Sequence, residues 1–156
     1  MSRDEALARF ADSRQMLLKA IESVGEKDIV QTPVEGVWTI KDVLGHLASW
    51  EAICLEPLAR GVEGHPIECA AVADYMAWND EQAASKCALP LGDILAEYSS
   101  TRQTVVSLVE KLPAAQWEQP CSFPWGGVGS VADLLQGFYE HELEHVEAIE
   151  RWKAEQ

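Results

Sequence analysis

The chain has 156 residues, 47% hydrophobic and 24% charged, enough to bury a core without a metal or disulfide as staple. Its net charge of −14 and pI of about 4.5 make nucleic acid and anionic membranes poor partners. No apolar run approaches the roughly 18 residues of a membrane span, and the polar start Met1-Ser2-Arg3-Asp4-Glu5 leads directly into an amphipathic segment, so neither a span nor a signal peptide is expected.

The first predicted helix runs from about Arg3 to Val24, with Leu7, Phe10, Leu17, Leu18, Ile21 and Val24 as its apolar stripe. Arg14 falls within that stripe. A cation there either packs its stem while pairing with a carboxylate, or faces the interior to hold an acidic group of a substrate. Gly25 ends the helix, and a polar connection containing Pro33 and Gly36 follows. Thr39 with Asp42 three residues on forms a capping-box pattern that starts a second helix, expected to reach about Ala59. Ile40, Val43, Leu44, Leu47, Trp50 and Ile53 share one arc of it, and His46 lies inside that arc, one turn before Trp50. His65, between Gly64 and Pro66, reads as a loop residue.

A short helix from about Asp74 to Cys87 carries Trp78 and Asn79 and stops before Pro90. The third long helix, roughly Gly92 to Leu112, turns Ile94, Leu95, Tyr98, Val105, Leu108, Val109 and Leu112 inward, with Arg102 at the margin. From Pro113 to Gly129, prolines and glycines rule out a helix interior; Trp117, Phe123 and Trp125 suggest a cover folded onto the protein. Ser130 with Asp133 repeats the capping-box pattern and opens the last helix, to about Lys153. The prediction is all-α: a four-helix bundle in one domain over residues 1–156. A short extra helix lies in the connection between helices two and three, whose length lets those two run parallel. Cys54, Cys69, Cys87 and Cys121 form no CxxC pair, the usage expected of reduced thiols in a cytoplasmic protein.

The last helix carries the chemistry. Leu134, Phe138, His141, His145, Ala148 and Trp152 alternate steps of four and three, the spacing of a buried seam. Two imidazoles thus stand where a packed helix carries Leu or Ile, and a shared metal ion would satisfy both. His46 lies about seven residues, roughly 10 Å at 1.5 Å per residue, from the start of its helix. His145 and His141 lie about eight and twelve residues before the end of theirs. If the two helices are antiparallel, all three histidines reach similar depth. Three neutral imidazoles leave an open coordination position, the arrangement of a catalytic zinc site, and imidazole also suits nickel, copper, iron and cobalt, so the residues do not encode the ion's identity. Glu142, at the margin of the apolar arc, is the candidate proton-transfer residue beside a solvated alternative. His141-Glu142-Leu143-Glu144-His145 also matches HExxH. A protease is not expected, because only eleven residues follow His145 and no strand is predicted to bind a peptide.

The run Trp38-Thr39-Ile40-Lys41-Asp42-Val43-Leu44-Gly45-His46-Leu47, the Asn79 region, and the late HxxxH at 141–145 resemble the DinB-like superfamily of four-helix-bundle metalloproteins. The resemblance spans nearly the whole chain. It implies a divalent ion, zinc or nickel, held by His46, His141 and His145. It also implies chemistry of the kind seen in relatives that use low-molecular-weight thiols, among them transferases and a maleylpyruvate isomerase. The expectation is a metal-dependent enzyme acting on a small-molecule substrate, as a thiol-dependent S-transferase or a hydrolase, with Trp50 and Asn79 lining the pocket and Arg14 anchoring an anion. The alternative is a non-catalytic binding module, or a homodimer, whose histidines form a polar core cluster.

Overall fold

A computed structural model describes residues 1–156. The elements in order are α1 (Arg3–Glu22), α2 (Glu26–Gln31), β1 (Pro33–Glu35), β2 (Trp38–Thr39), α3 (Ile40–Ala52), α4 (Leu55–Val62) and β3 (Ile67–Glu68). They continue with α5 (Tyr75–Lys86), α6 (Leu91–Lys111), α7 (Ala114–Trp117), β4 (Cys121–Ser122), β5 (Val128–Gly129) and α8 (Val131–Ala154). Capping boxes start α3 at Thr39/Asp42 and α8 at Ser130/Asp133, as the sequence pattern predicts, and α1 at Ser2/Glu5.

The four-helix bundle is built from α1, the consecutive α3 and α4, α6, and α8. Contacts along the helices fix their directions. Between α1 and α8, Arg9 bonds Gln136, Ser13 bonds Glu142 and Lys153 bonds the Ala20 carbonyl; the numbers rise together, so these helices are parallel. Between α1 and α6, Arg3 meets Glu110, Phe10 meets Arg102 and Arg14 meets Tyr98; these helices are antiparallel. Gly45 faces the Ile94 side chain and Glu51 bonds Arg102, which sets α3 parallel to α6. The order is up-down-down-up, and α3 therefore runs antiparallel to α8, as the matching histidine depths require.

The second predicted helix is two helices. It breaks at Ile53 and Cys54, between α3 and α4, because Pro57 cannot donate to the Ile53 carbonyl four residues back and its ring crowds that group. Strands also occur where none is predicted, each two or three residues long. β1 and β2 form a hairpin pairing Glu35 with Trp38, its turn made by Gly36 at φ 58°, a left-handed conformation that glycine adopts without cost. β3 pairs parallel with β4, which pairs antiparallel with β5, tying the 113–129 segment to the loop after α4.

The core has two apolar halves. One gathers Phe10, Trp50, Leu58, Val105, Val109, Leu134 and Phe138; the other gathers Leu17, Ile40, Leu44, Leu47, Ile94, Tyr98 and Ile149. A buried polar layer lies at the height between them, made by Ser13 and Arg14 of α1, Glu51 of α3, Arg102 of α6 and Glu142 of α8. No helix is long and apolar enough to cross a membrane.

Candidate metal centre

His46 leaves α3 and His141 and His145 leave α8, one turn apart on the latter. Their Nε2 atoms converge: His141 Nε2 is 2.9 Å from His46 Nε2 and 3.2 Å from His145 Nε2, and one ligand atom from each ring falls within a 4.8 Å group. The ring centroids are 4.8–5.0 Å apart.

The proton count decides what this cluster is suited to hold. His145 Nδ1 lies 2.5 Å from Glu35 Oε2, and an ionised carboxylate only accepts. In the neutral form that a metal ligand requires, His145 would carry its hydrogen on Nδ1 and turn the Nε2 lone pair toward the other two rings. Burial, reinforced by the charges of His141 and His145, pushes His46 down to about 2. Burial, followed by the charge of His145, pushes His141 down to about 4. Both are neutral near pH 7. With neutral rings, at most one of the two N···N contacts is a hydrogen bond, since His141 Nε2 cannot both donate to His145 and accept from His46. Lone pairs are left facing one another, and a cation at the centre resolves this. Donors around a tetrahedral zinc at roughly 2.0–2.1 Å stand about 3.3–3.4 Å apart, close to the 2.9 and 3.2 Å that separate His141 Nε2 from the other two. The residues fit a divalent ion.

The β1–β2 hairpin orients the cluster. It delivers Glu35 to His145 and lays Trp38 against His46, with centroids 4.6 Å apart. In front of the histidines opens a cavity of about 620 Å³. Trp50 and Asn79 both line it, and the Trp50 indole donates to Asn79 Oδ1 at 2.9 Å. The structure thus brings together five of the residues singled out in the sequence: His46, His141, His145, Trp50 and Asn79. His65 is exposed and apart from them.

Two expected site residues lie elsewhere. Glu142 is fully buried and does not line the cavity. Its Oε1 accepts from Ser13 (2.7 Å) and Arg102 (3.1 Å), and its Oε2 from Tyr98 (2.7 Å) and Arg14 (3.0 Å). Burial opposes its charge, but Arg102, Arg14 and the two hydroxyl donors outweigh that and hold its pKa below the ordinary carboxylate value. A carboxylate so saturated has no lone pair directed at a substrate. Arg14 is likewise committed, to Glu142, to Glu51 at 3.4 Å and to the Tyr98 carbonyl, with its guanidinium 3.4 Å above the Tyr98 ring. Arg14 does face the interior, but the acidic groups it holds are the protein's own. Arg102 completes the quartet with two bonds to Glu51, at 2.8 and 2.9 Å. Burial opposes that charge too, and Glu51 and Glu142 more than offset it.

Glu35, Trp38, Tyr75 and Trp125 also line the cavity and were not singled out as site residues. Trp38 directly precedes the Thr39 cap, the place of a hydrophobic staple, a signal that could have found it. Glu35 has none, because a three-residue strand shows no periodicity.

Residues 9–149 match the family model of the DinB superfamily. Among solved structures, the mycothiol-dependent maleylpyruvate isomerase superposes with a TM-score of 0.79 at 10% identity, over 96% of this chain and 61% of that one. The chain therefore spans less than two thirds of the isomerase's length. YfiT from Bacillus subtilis, described as a probable metal-dependent hydrolase with an unusual four-helix bundle topology, superposes with a TM-score of 0.75 at 17% identity, over 99% of this chain and 89% of that one. No curated protein matches the sequence. The chain belongs to the DinB superfamily.

Proposed function

From that membership, we propose a divalent-metal-dependent enzyme of the cytoplasm that acts on a small molecule, with His46, His141 and His145 holding zinc or nickel. The observation that carries the reading is the convergence of three imidazoles from α3 and α8, with His141 Nε2 2.9 Å from His46 Nε2 and 3.2 Å from His145 Nε2. When bound, such an ion supplies Lewis acidity and lowers the pKa of water or a thiol at its open position. The chain's own residues do the rest. Glu35 fixes the proton of His145 on Nδ1 and makes that imidazole a better donor. Trp50, held by Asn79, and Trp38 wall the cavity and exclude water from one side of the cluster.

Hydrolysis is the first reading and thiol-dependent S-transfer the second. YfiT, a probable metal-dependent hydrolase, has nearly this chain's extent. A thiol cofactor is suggested by the mycothiol-dependent isomerase, which is longer than this chain. Against a thiol cofactor that carries acidic groups, the cavity holds no arginine or lysine to receive it.

Metal analysis of untagged protein should find about one equivalent of divalent ion. Chelation should lower Tm, and zinc or nickel should restore it. An ion present at a hundred times its Kd stabilises by about 2.7 kcal/mol, or about 5–11 °C for a chain of this size. Finding no metal and no thermal response to either ion would end the reading. Loaded protein screened with and without small thiols separates hydrolysis from S-transfer.

A further inference from the structure

The cavity wall has a charge pattern that the metal reading leaves unused. None of its fourteen lining residues is lysine or arginine, while three are glutamates: Glu35, Glu140 and Glu144. Glu35 is occupied by His145. Glu140 and Glu144 are exposed at the mouth, and neither is in an ion pair. They stand four apart on α8, interleaved with His141 and His145. Like charges at that spacing weaken a helix, and Glu140 is met by a neutral amide, Gln136 Nε2 at 2.9 Å, rather than by a cation.

Beside the carboxylates, in the same cavity, is an aromatic wall that the backbone is shaped to receive. A Cβ placed on Gly137 would lie 2.4 Å from Cζ2 and Cη2 of Trp125, so only glycine lets that indole lie on α8, one turn before His141. Glycine inside a helix is unfavourable. Phe123 stacks on the indole at 5.0 Å and Phe138 meets it edge-on at 5.6 Å, yet Trp125 keeps 43% of its surface exposed. Tyr75, 60% exposed, lines the same cavity.

We propose that the ligand of this cavity carries a cationic amine on an apolar body. The ammonium sits between Glu140 and Glu144 and against the faces of Trp125 and Tyr75, while the body lies along Trp50 toward the histidines. Carboxylates and a ring face together recognise an ammonium and repel an anion. The same wall disfavours dicarboxylates and phosphorylated compounds. The inference rests on the cavity being the substrate site of the proposed enzyme, but not on the ion being present.

The probes are benzyltrimethylammonium, which has no lone pair for a metal, benzyl alcohol and phenylacetate. Each is titrated calorimetrically into chelator-treated and into metal-loaded full-length protein. The ammonium should bind chelator-treated protein at least ten-fold more tightly than either other probe. The double variant Glu140→Gln/Glu144→Gln should cut that preference five-fold or more. Gly137→Ala, which keeps every charge and favours the helix, should weaken ammonium binding by expelling Trp125. Equal or tighter binding of phenylacetate to chelator-treated protein, or an undiminished preference in the double variant, overturns the proposal. If the preference holds in protein that takes up no metal, the ligand class stands and the metal reading fails. If metal binds and the preference is missing, the reverse is true.

Discussion

Replacing Glu142 by Gln separates two roles that the sequence alone left together. The side chain is isosteric, so packing is retained and one negative charge is lost from the quartet. Arg14 and Arg102 would then share Glu51 alone, leaving about one uncompensated positive charge in a layer where Glu142 is fully buried and Arg102 is 6% exposed. The amide must also turn an NH₂ group toward one of the donors that Glu142 now accepts from. Removing one partner of a buried ion pair costs about 3–5 kcal/mol, which lowers Tm by about 6–20 °C for a chain of this size. Thermal and urea unfolding followed by circular dichroism measures it. The folded fraction should still bind one equivalent of metal, because Glu142 does not touch the histidine nitrogens. Adding Arg14→Met restores the balance of charge and should recover part of the loss. A Glu142→Gln protein within about 2 °C of the parent, with its activity abolished, would refute the structural assignment and reinstate the carboxylate as a proton-transfer group.

Glu35→Gln should weaken metal affinity about 10–100-fold, the usual cost of losing a carboxylate behind a ligating histidine, with little change in metal-free Tm since Glu35 is 36% exposed; competition against a chromogenic chelator reads it. The metal-free protein should lose stability as pH falls below about 6.5. His46 and His141 have depressed values, about 2 and about 4, so between about pH 4 and 6.5 the unfolded chain binds more protons than the native one. Their contribution is complete above the unfolded value near 6.5 and shrinks by up to about 1.4 kcal/mol per pH unit for each ring below it. Urea midpoints at pH 7, 6 and 5 should fall in that order, and a flat profile would show that the rings are not held neutral.

The histidines were legible because they break a pattern. Polar rings at seam positions on α8, and another inside the arc of α3, are conspicuous against the Leu, Val and Ile around them. Cap positions then fixed their relative depth. Glu51 was not legible: one acidic residue next to Trp50 looks like the polar margin of a helix until Arg102 is known to face it. The assignment of Glu142 to the site failed for a related reason. The HExxH match drew it toward the imidazoles, whereas its burial depended on cations from two other helices. Pro57 marks the α3–α4 break through its local effect on the Ile53 carbonyl, and the expectation of one helix to about Ala59 passes over that signal. The short strands were invisible because pairing, not periodicity, creates them.

The quartet and the histidine cluster are geometrically linked through α8. At 100° per residue, His141 stands 100° before Glu142 and His145 stands 300° after it, which is 60° on the same side. Turning Glu142 toward Arg14 and Arg102 therefore turns both imidazoles toward α3 and His46. Apolar seams tolerate a slip of one turn with modest loss, since Leu134, Phe138 and Val146 could exchange neighbours. The quartet tolerates none, because Glu142 accepts from four fixed donors on α1 and α6 and Glu51 receives a two-bond fork from Arg102. A slip of about 5.4 Å would unpair buried charges on both carboxylates. The polar layer thus holds α3 and α8 in the single register at which three Nε2 atoms meet, and Glu142 serves the histidines by being unable to join them.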